Sequence, residues 1–206
     1  MPHQTVFSKG LTMSLHIPEK YKEPYRILSI DPGSNSLGVA SLTIDPVSEL
    51  IINIQAFTVH VEYLYKTDYC ESDEDNPRIN RMLKIQYEIS KILDFYRPKL
   101  VVCESPFFNR LRPGAFAPLV EVMHTLRLAV LNYGCLVPFY TIEPSIIKKA
   151  VGASHIGDKN AVNKAVKEID EIVVATPFSL DLLDEHAIDA IAIGYSYQNW
   201  QRQHAI

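Results

Sequence analysis

The sequence predicts an α/β domain built on a five-stranded mixed sheet with helices on both faces. Three observations predict it. The opening holds three β-prone apolar segments, Tyr25–Ile30, Leu37–Ile44 and Leu50–Val59, separated by Asp31-Pro32-Gly33 and Asp45-Pro46, which reads as a three-strand meander. Beyond residue 78, segments of helical period alternate with short apolar runs, the pattern of helices laid on a sheet. The chain has 206 residues, 47% apolar and 21% charged, enough for one well-buried domain and too few for two of ordinary size.

Each later element has its own signal. From Arg78 to Tyr96 the residues Ile79, Met82, Leu83, Ile85, Ile89, Ile92, Leu93 and Tyr96 recur at helical spacing, and Pro98 follows. Leu100–Cys103 is a short apolar run that ends in an acid, Glu104. Residues 105–118 carry three prolines, a glycine and three phenylalanines, the composition of an irregular loop. Leu119–Tyr133 is helical again, with Gly134 placed as its C-terminal cap. Val137–Ile142 reads as a strand, Pro144 opens a helix to Val151, and Lys159–Ile169 forms another. Asp181 is placed as the N-cap of a last helix reaching about Trp200. The predicted order is βββ-α-β-α-β-α-α-α. Residues 1–24 form an N-terminal extension and 25–206 a single domain.

Charge and cysteines narrow the function classes. The net charge is −4, but residues 62–77 carry six acids against Lys66, so the remainder is close to neutral. Residues 145–167 hold Lys148, Lys149, Lys159, Lys164 and Lys167 opposed only by Asp158. That local basic stretch fits phosphate binding, and it also fits a solvated helix surface. Cys70, Cys103 and Cys135 form no CxxC pair, which argues against a zinc finger or a disulfide framework and for a reducing, cytoplasmic setting. No apolar run approaches the roughly 20 residues needed to span a bilayer, and MPHQTVFSKG lacks the features of a signal peptide.

The chemistry concentrates at two strand ends and one helix. Asp31 ends YRILSI and Glu104 ends LVVC. In an open sheet the carboxyl ends of neighbouring strands face one crevice. Either acid alone is equally well an ordinary polar residue that starts a loop. His186 and Asp189 are three apart, so they share one helix face, and Asp189 interrupts the apolar stretch AIDAIAIG. An unpaired acid buried there is costly. Asp184 and Glu185 stand in the first helical turn, where acids favour the helix dipole. Three carboxylates with an imidazole form an oxygen and nitrogen donor set for divalent cations, Mg²⁺ or Mn²⁺, with room for two. One cation would activate a water and the other would stabilise the leaving 3′ oxygen of a phosphodiester. Asp31, Glu104, His186 and Asp189 are therefore the candidate catalytic and metal-binding residues of a nuclease.

The same segments resemble RuvC-type Holliday-junction resolvases, of the RNase H-like, retroviral-integrase-like nuclease superfamily. ILSIDPGSNSLGVA is similar to the family's opening hairpin, with its Gly on the return strand, and VVCESPFFN to its strand-and-Glu segment. PSIIKKAVGASHIGDKNAV is similar to its DNA-contacting stretch, and HAIDAIAIGYSY to its last catalytic helix. The resemblance spans residues 25–197. It implies an RNase H-like fold, an endonuclease that nicks opposing strands of four-way DNA junctions, and a homodimer. It also implies DNA contacts from Phe107, Lys148, Lys149 and Lys159. Two features depart from the pattern: the long acidic segment 62–77, and His186 where many members carry Asp. Rival readings are a related nuclease acting on flaps, forks or RNA–DNA hybrids, a protein that binds branched DNA without cutting it, and an actin-like nucleotide-binding fold. The last needs two lobes, and this chain has length for one. The stripe Val122, Met123, Leu126 and Val130 fits either a dimer face or the core.

Overall fold

The computed structural model describes residues 23–64, 77–106, 114, 116–153 and 160–204. Five strands form one sheet: β1 (Tyr25–Asp31), β2 (Ser36–Ile44), β3 (Ile51–His60), β4 (Leu100–Glu104) and β5 (Phe139–Ile142). Their spatial order is β3-β2-β1-β4-β5. β1, β2 and β3 pair antiparallel as the predicted meander, whereas β4 runs parallel to both β1 and β5. The mixed sheet predicted from the sequence is thus present.

Helices cover both faces. α1 (Pro77–Tyr96) and α2 (Phe116–Tyr133) pack on one side. On the other lie α3 (Pro144–Val151), α4 (Ala161–Lys167), α5 (Asp170–Ala175) and the long α6 (Glu185–His204). Strand alternation sorts the core between them. Leu28, Ile30, Val101 and Cys103 face α1 and α2 with Ile89, Leu93 and Leu126. Ile27, Leu42 and Val102 face α6 with Ile188 and Ile191. The same period of two carries Asp31 and Glu104, the last residues of β1 and β4, onto the α6 side.

Four sequence expectations change. α2 begins at Phe116, three residues early, because Pro118 lies in the first turn, where its missing N–H is not needed. α4 is shorter than expected, and α5 is an additional six-residue helix. The sequence reading assigns no element to its EIVVA run, and two of its three branched residues, Val173 and Val174, are exposed, so the run carries no clear helical stripe. α6 begins at Glu185, not Asp181; Asp181 belongs to a 3-10 turn, Leu180–Leu182, capped by the Ser179 hydroxyl. Val122, Met123, Leu126 and Val130 are all buried core, so that stripe offers no dimer face.

Candidate active site

β1 and β4 are neighbours, so their final acids stand side by side at one edge of the domain. α6 crosses this edge. It packs on β1, β2, β3 and β4 and brings His186 and Asp189 over the strand ends. His186 Nδ1 stands 2.9 Å from Asp31 Oδ2. With Nδ1–H donating to that carboxylate, the ring's Nε2 lone pair and Asp31 Oδ1 remain for a ligand.

Two packing details hold α6 this close. The buried Ser29 hydroxyl, two residues before Asp31, donates to the Ala190 carbonyl at 2.7 Å. Gly38 pairs directly with Asp31 across the β1–β2 ladder. A β-carbon on Gly38 would stand 1.8 Å from the His186 carbonyl oxygen and 3.2 Å from Asp31 Cβ. Only a residue without a side chain lets the first turn of α6 rest on β2 at that point. The helix start is also pinned from the sheet. Asp184 Oδ1 accepts the Thr58 hydroxyl of β3 and the Ala187 N–H, the latter at 3.0 Å. Asp184 thus caps the start of α6, one residue before the turn in which the sequence reading places it.

The electrostatics fit a cluster short of positive charge. Burial pushes the Glu104 carboxyl up to about 8, with Asp31 and Asp189 adding to the rise and Lys148 opposing it. Burial likewise pushes Asp189 up to about 7; Asp31 adds to the rise, while His186 opposes it. The hydrogen bond to Asp31 raises His186. Lys148 of α3 therefore belongs to the same neighbourhood. Lys149, next along that short helix, is exposed. Phe107 and Lys159 lie outside the described residues, as do 65–76 of the acidic segment and most of the N-terminal extension.

The donor set suits a divalent cation: carboxylate oxygens and one imidazole nitrogen, partly buried, with mutual repulsion that a cation would relieve. Among the described residues, no three His, Cys, Asp or Glu side chains are already closed around a common point. The Asp31–His186 hydrogen bond is the contact now made there, and a cation would have to draw Glu104 and Asp189 inward to complete its shell.

Comparison with known proteins decides the family. Residues 27–196 match the model of the crossover junction endodeoxyribonuclease RuvC family. The chain belongs to this family. A RuvC of Rhodopseudomonas palustris (strain BisB18), named crossover junction endodeoxyribonuclease, is 29% identical over 177 residues, covering 85% of this chain and 87% of the relative. The RuvC structure from Thermus thermophilus shares the fold, with a TM-score of 0.64 and 21% identity over 86% of this chain and 96% of that one. The T. thermophilus RuvC in complex with Holliday junction substrate superposes with a TM-score of 0.61, at 19% identity over 87% of this chain and 96% of that one. The RNase H-like expectation for the fold therefore holds. Gly38, noted from the sequence only as the return-strand glycine, Ser29 and the Thr58–Asp184 contact were not assigned a role in the site from the sequence. A glycine inside a strand, and a serine amid the apolar residues of another, are the signals that mark the first two.

Proposed function

We propose that Asp31, Glu104, His186 and Asp189 are the catalytic residues with which this RuvC-family endonuclease cuts four-way DNA junctions. The family's activity is metal-dependent cleavage of crossover junctions, and the chain is an enzyme of that kind. The observation that carries the residue assignment is the convergence of two strand-end acids, from β1 and β4, with the His186–Asp189 face of α6.

Asp31, Glu104 and Asp189 would hold the metal through oxygen, and His186 through Nε2. The ion is Mg²⁺ or Mn²⁺, two per site. Bound there, the cations supply charge neutralisation for the phosphodiester and a water acidic enough to attack near neutral pH. The chain's own residues set the geometry. Asp31 fixes the His186 ring, Gly38 and Ser29 hold α6 against the sheet, and Lys148 offers a cation to the incoming backbone phosphate. Lys149, Lys159 and Phe107 extend the DNA contact, the aromatic ring by stacking on an unpaired base. The protein acts as a homodimer, because a two-fold junction is matched by an isologous pair of subunits. Leu128 and Leu131 are exposed on α2 and available for such a contact.

Asp31→Asn tests the assignment. It keeps the side chain's shape while removing its charge, so cleavage should fall at least about 100-fold while junction binding stays within a few-fold. Parallel loss of binding and cleavage, or retained cleavage, overturns it.

A further inference from the structure

A second feature lies on the opposite face of the sheet, at the same end as Asp31. Asn35, four residues after Asp31 in the β1–β2 turn, forms the wall of an open pocket of about 390 Å³. Arg81 and Lys84 of α1 line the other side, with Pro77, Val61 and Glu62 at the margin. Arg81 and Lys84 are three apart and share one helix face. Arg81 Nη1 donates to Asn35 Oδ1 at 2.8 Å, and Nε donates weakly to the Pro77 carbonyl at 3.4 Å. That leaves part of the five-donor guanidinium fork, and the Asn35 amide N–H groups, for a ligand. Lys84 has no ion-pair partner among the described residues, whereas nearby Arg78 is paired with Glu121. Two cations against Glu62 give the lining a net positive charge.

We propose that Asn35, Arg81 and Lys84 form a binding site for a backbone phosphate of the junction strand, separate from the catalytic cluster. The inference rests on the nuclease reading above and adds a substrate-positioning site to it. Three features favour a phosphate. The donors are a planar guanidinium fork, an ammonium and an amide, which together suit a tetrahedral oxyanion. The pocket is open to solvent, as a continuous strand requires. The turn that carries Asn35 also leads out of Asp31, and its Asn35 carbonyl accepts the Val61 N–H at 2.9 Å. A strand whose scissile phosphate lies at Asp31 can therefore cross this turn and place a flanking phosphate on Arg81 and Lys84. Such contacts set register and carry no base information.

The test measures junction affinity against salt for the full chain, with Ca²⁺ or no metal present so that no strand is cut. Lys84→Gln and Arg81→Gln should each weaken binding and lower the slope of log K against log salt by about 0.9. Lys84→Gln carries the test if Arg81→Gln disturbs folding, because Lys84 has no ion-pair partner among the described residues and Gln keeps most of its aliphatic stem. Replacing single phosphates beside the nick with neutral methylphosphonates gives the second readout. One position should weaken wild-type binding, and the same replacement should weaken Lys84→Gln binding less, because only Arg81 and Asn35 still hold that phosphate. Unchanged salt slopes, or methylphosphonate effects equal in wild type and Lys84→Gln, overturn the phosphate site. A wild-type protein that neither binds nor cuts a four-way junction would overturn the nuclease reading itself.

Discussion

A β-carbon on Gly38 would stand 1.8 Å from the His186 carbonyl oxygen, so Gly38→Ala must push the first turn of α6 away from β2. Overpacking of this kind costs about 1–3 kcal/mol. Here the displaced backbone also carries His186 and its contact with Asp31. Cleavage should fall more than about tenfold while the fold survives, as checked by far-UV circular dichroism beside a nicking assay. Wild-type activity in a folded Gly38→Ala variant would show that α6 does not need this approach. The raised carboxyls make a second residue-level prediction. Burial pushes Glu104 up to about 8 and Asp189 up to about 7, against ordinary values of 4.5 and 3.8. A carboxyl raised on folding favours the folded state below its unfolded value, and that contribution is lost as pH rises through the folded value. The metal-free protein should therefore lose stability from about pH 4 to pH 8 through these groups. Adding Mg²⁺ at pH 8 should recover melting temperature, because a ligand of the folded state alone stabilises it. A melting temperature insensitive to Mg²⁺ at pH 8 would contradict the metal assignment.

At the scale of elements, α6 is positioned from both sides of its first turn. Asp184 takes the Thr58 hydroxyl from β3 and the Ala187 N–H of α6, so it ties the cap to the sheet. Asp184→Ala should cost about 1 kcal/mol, a fall of roughly 2–4 °C for a domain of this size. Asp184→Asn keeps an acceptor and should restore most of that stability. If Asp184→Ala melts like wild type, the cap does not hold α6. Further along the helix, Arg202 donates to Glu171 and to the Glu49 carbonyl, clasping α6 to α5 and to the β2–β3 turn. Much of this layout was legible in the sequence. The five strands and α1 lie within two residues of the expected bounds, because their apolar runs are long and sharply ended by Pro, Gly or acids. The errors fall where the signal is short or shared. α5 spans six residues with two exposed valines, and the start of α6 was displaced because Asp181, Asp184 and the Ser179 cap all resemble helix starts. The four candidate catalytic residues were readable from strand ends and helix spacing. Gly38 and Ser29 act through a close approach between β1, β2 and α6; a local pattern marks both positions as unusual but does not name α6 as what they meet.

Across the whole molecule, the two faces of the sheet divide the work. The α6 side holds the proposed catalytic cluster and Lys148, and the α1 side holds the Asn35–Arg81–Lys84 pocket at the same strand end. The formal charge of −4 hides this, because the acidic segment 62–77 offsets basic groups that lie elsewhere. DNA affinity thus depends on local cations and should weaken steeply with salt. The most direct test of the central claim offers end-labelled four-way, three-way, flap and linear duplex DNA to the protein with Mg²⁺ or Mn²⁺ and maps every nick. Paired nicks at symmetric positions on opposing strands of the four-way junction, absent without metal and absent in Asp31→Asn, are the predicted result. Equal cutting of all four substrates, or nicking that persists in Asp31→Asn, would contradict it.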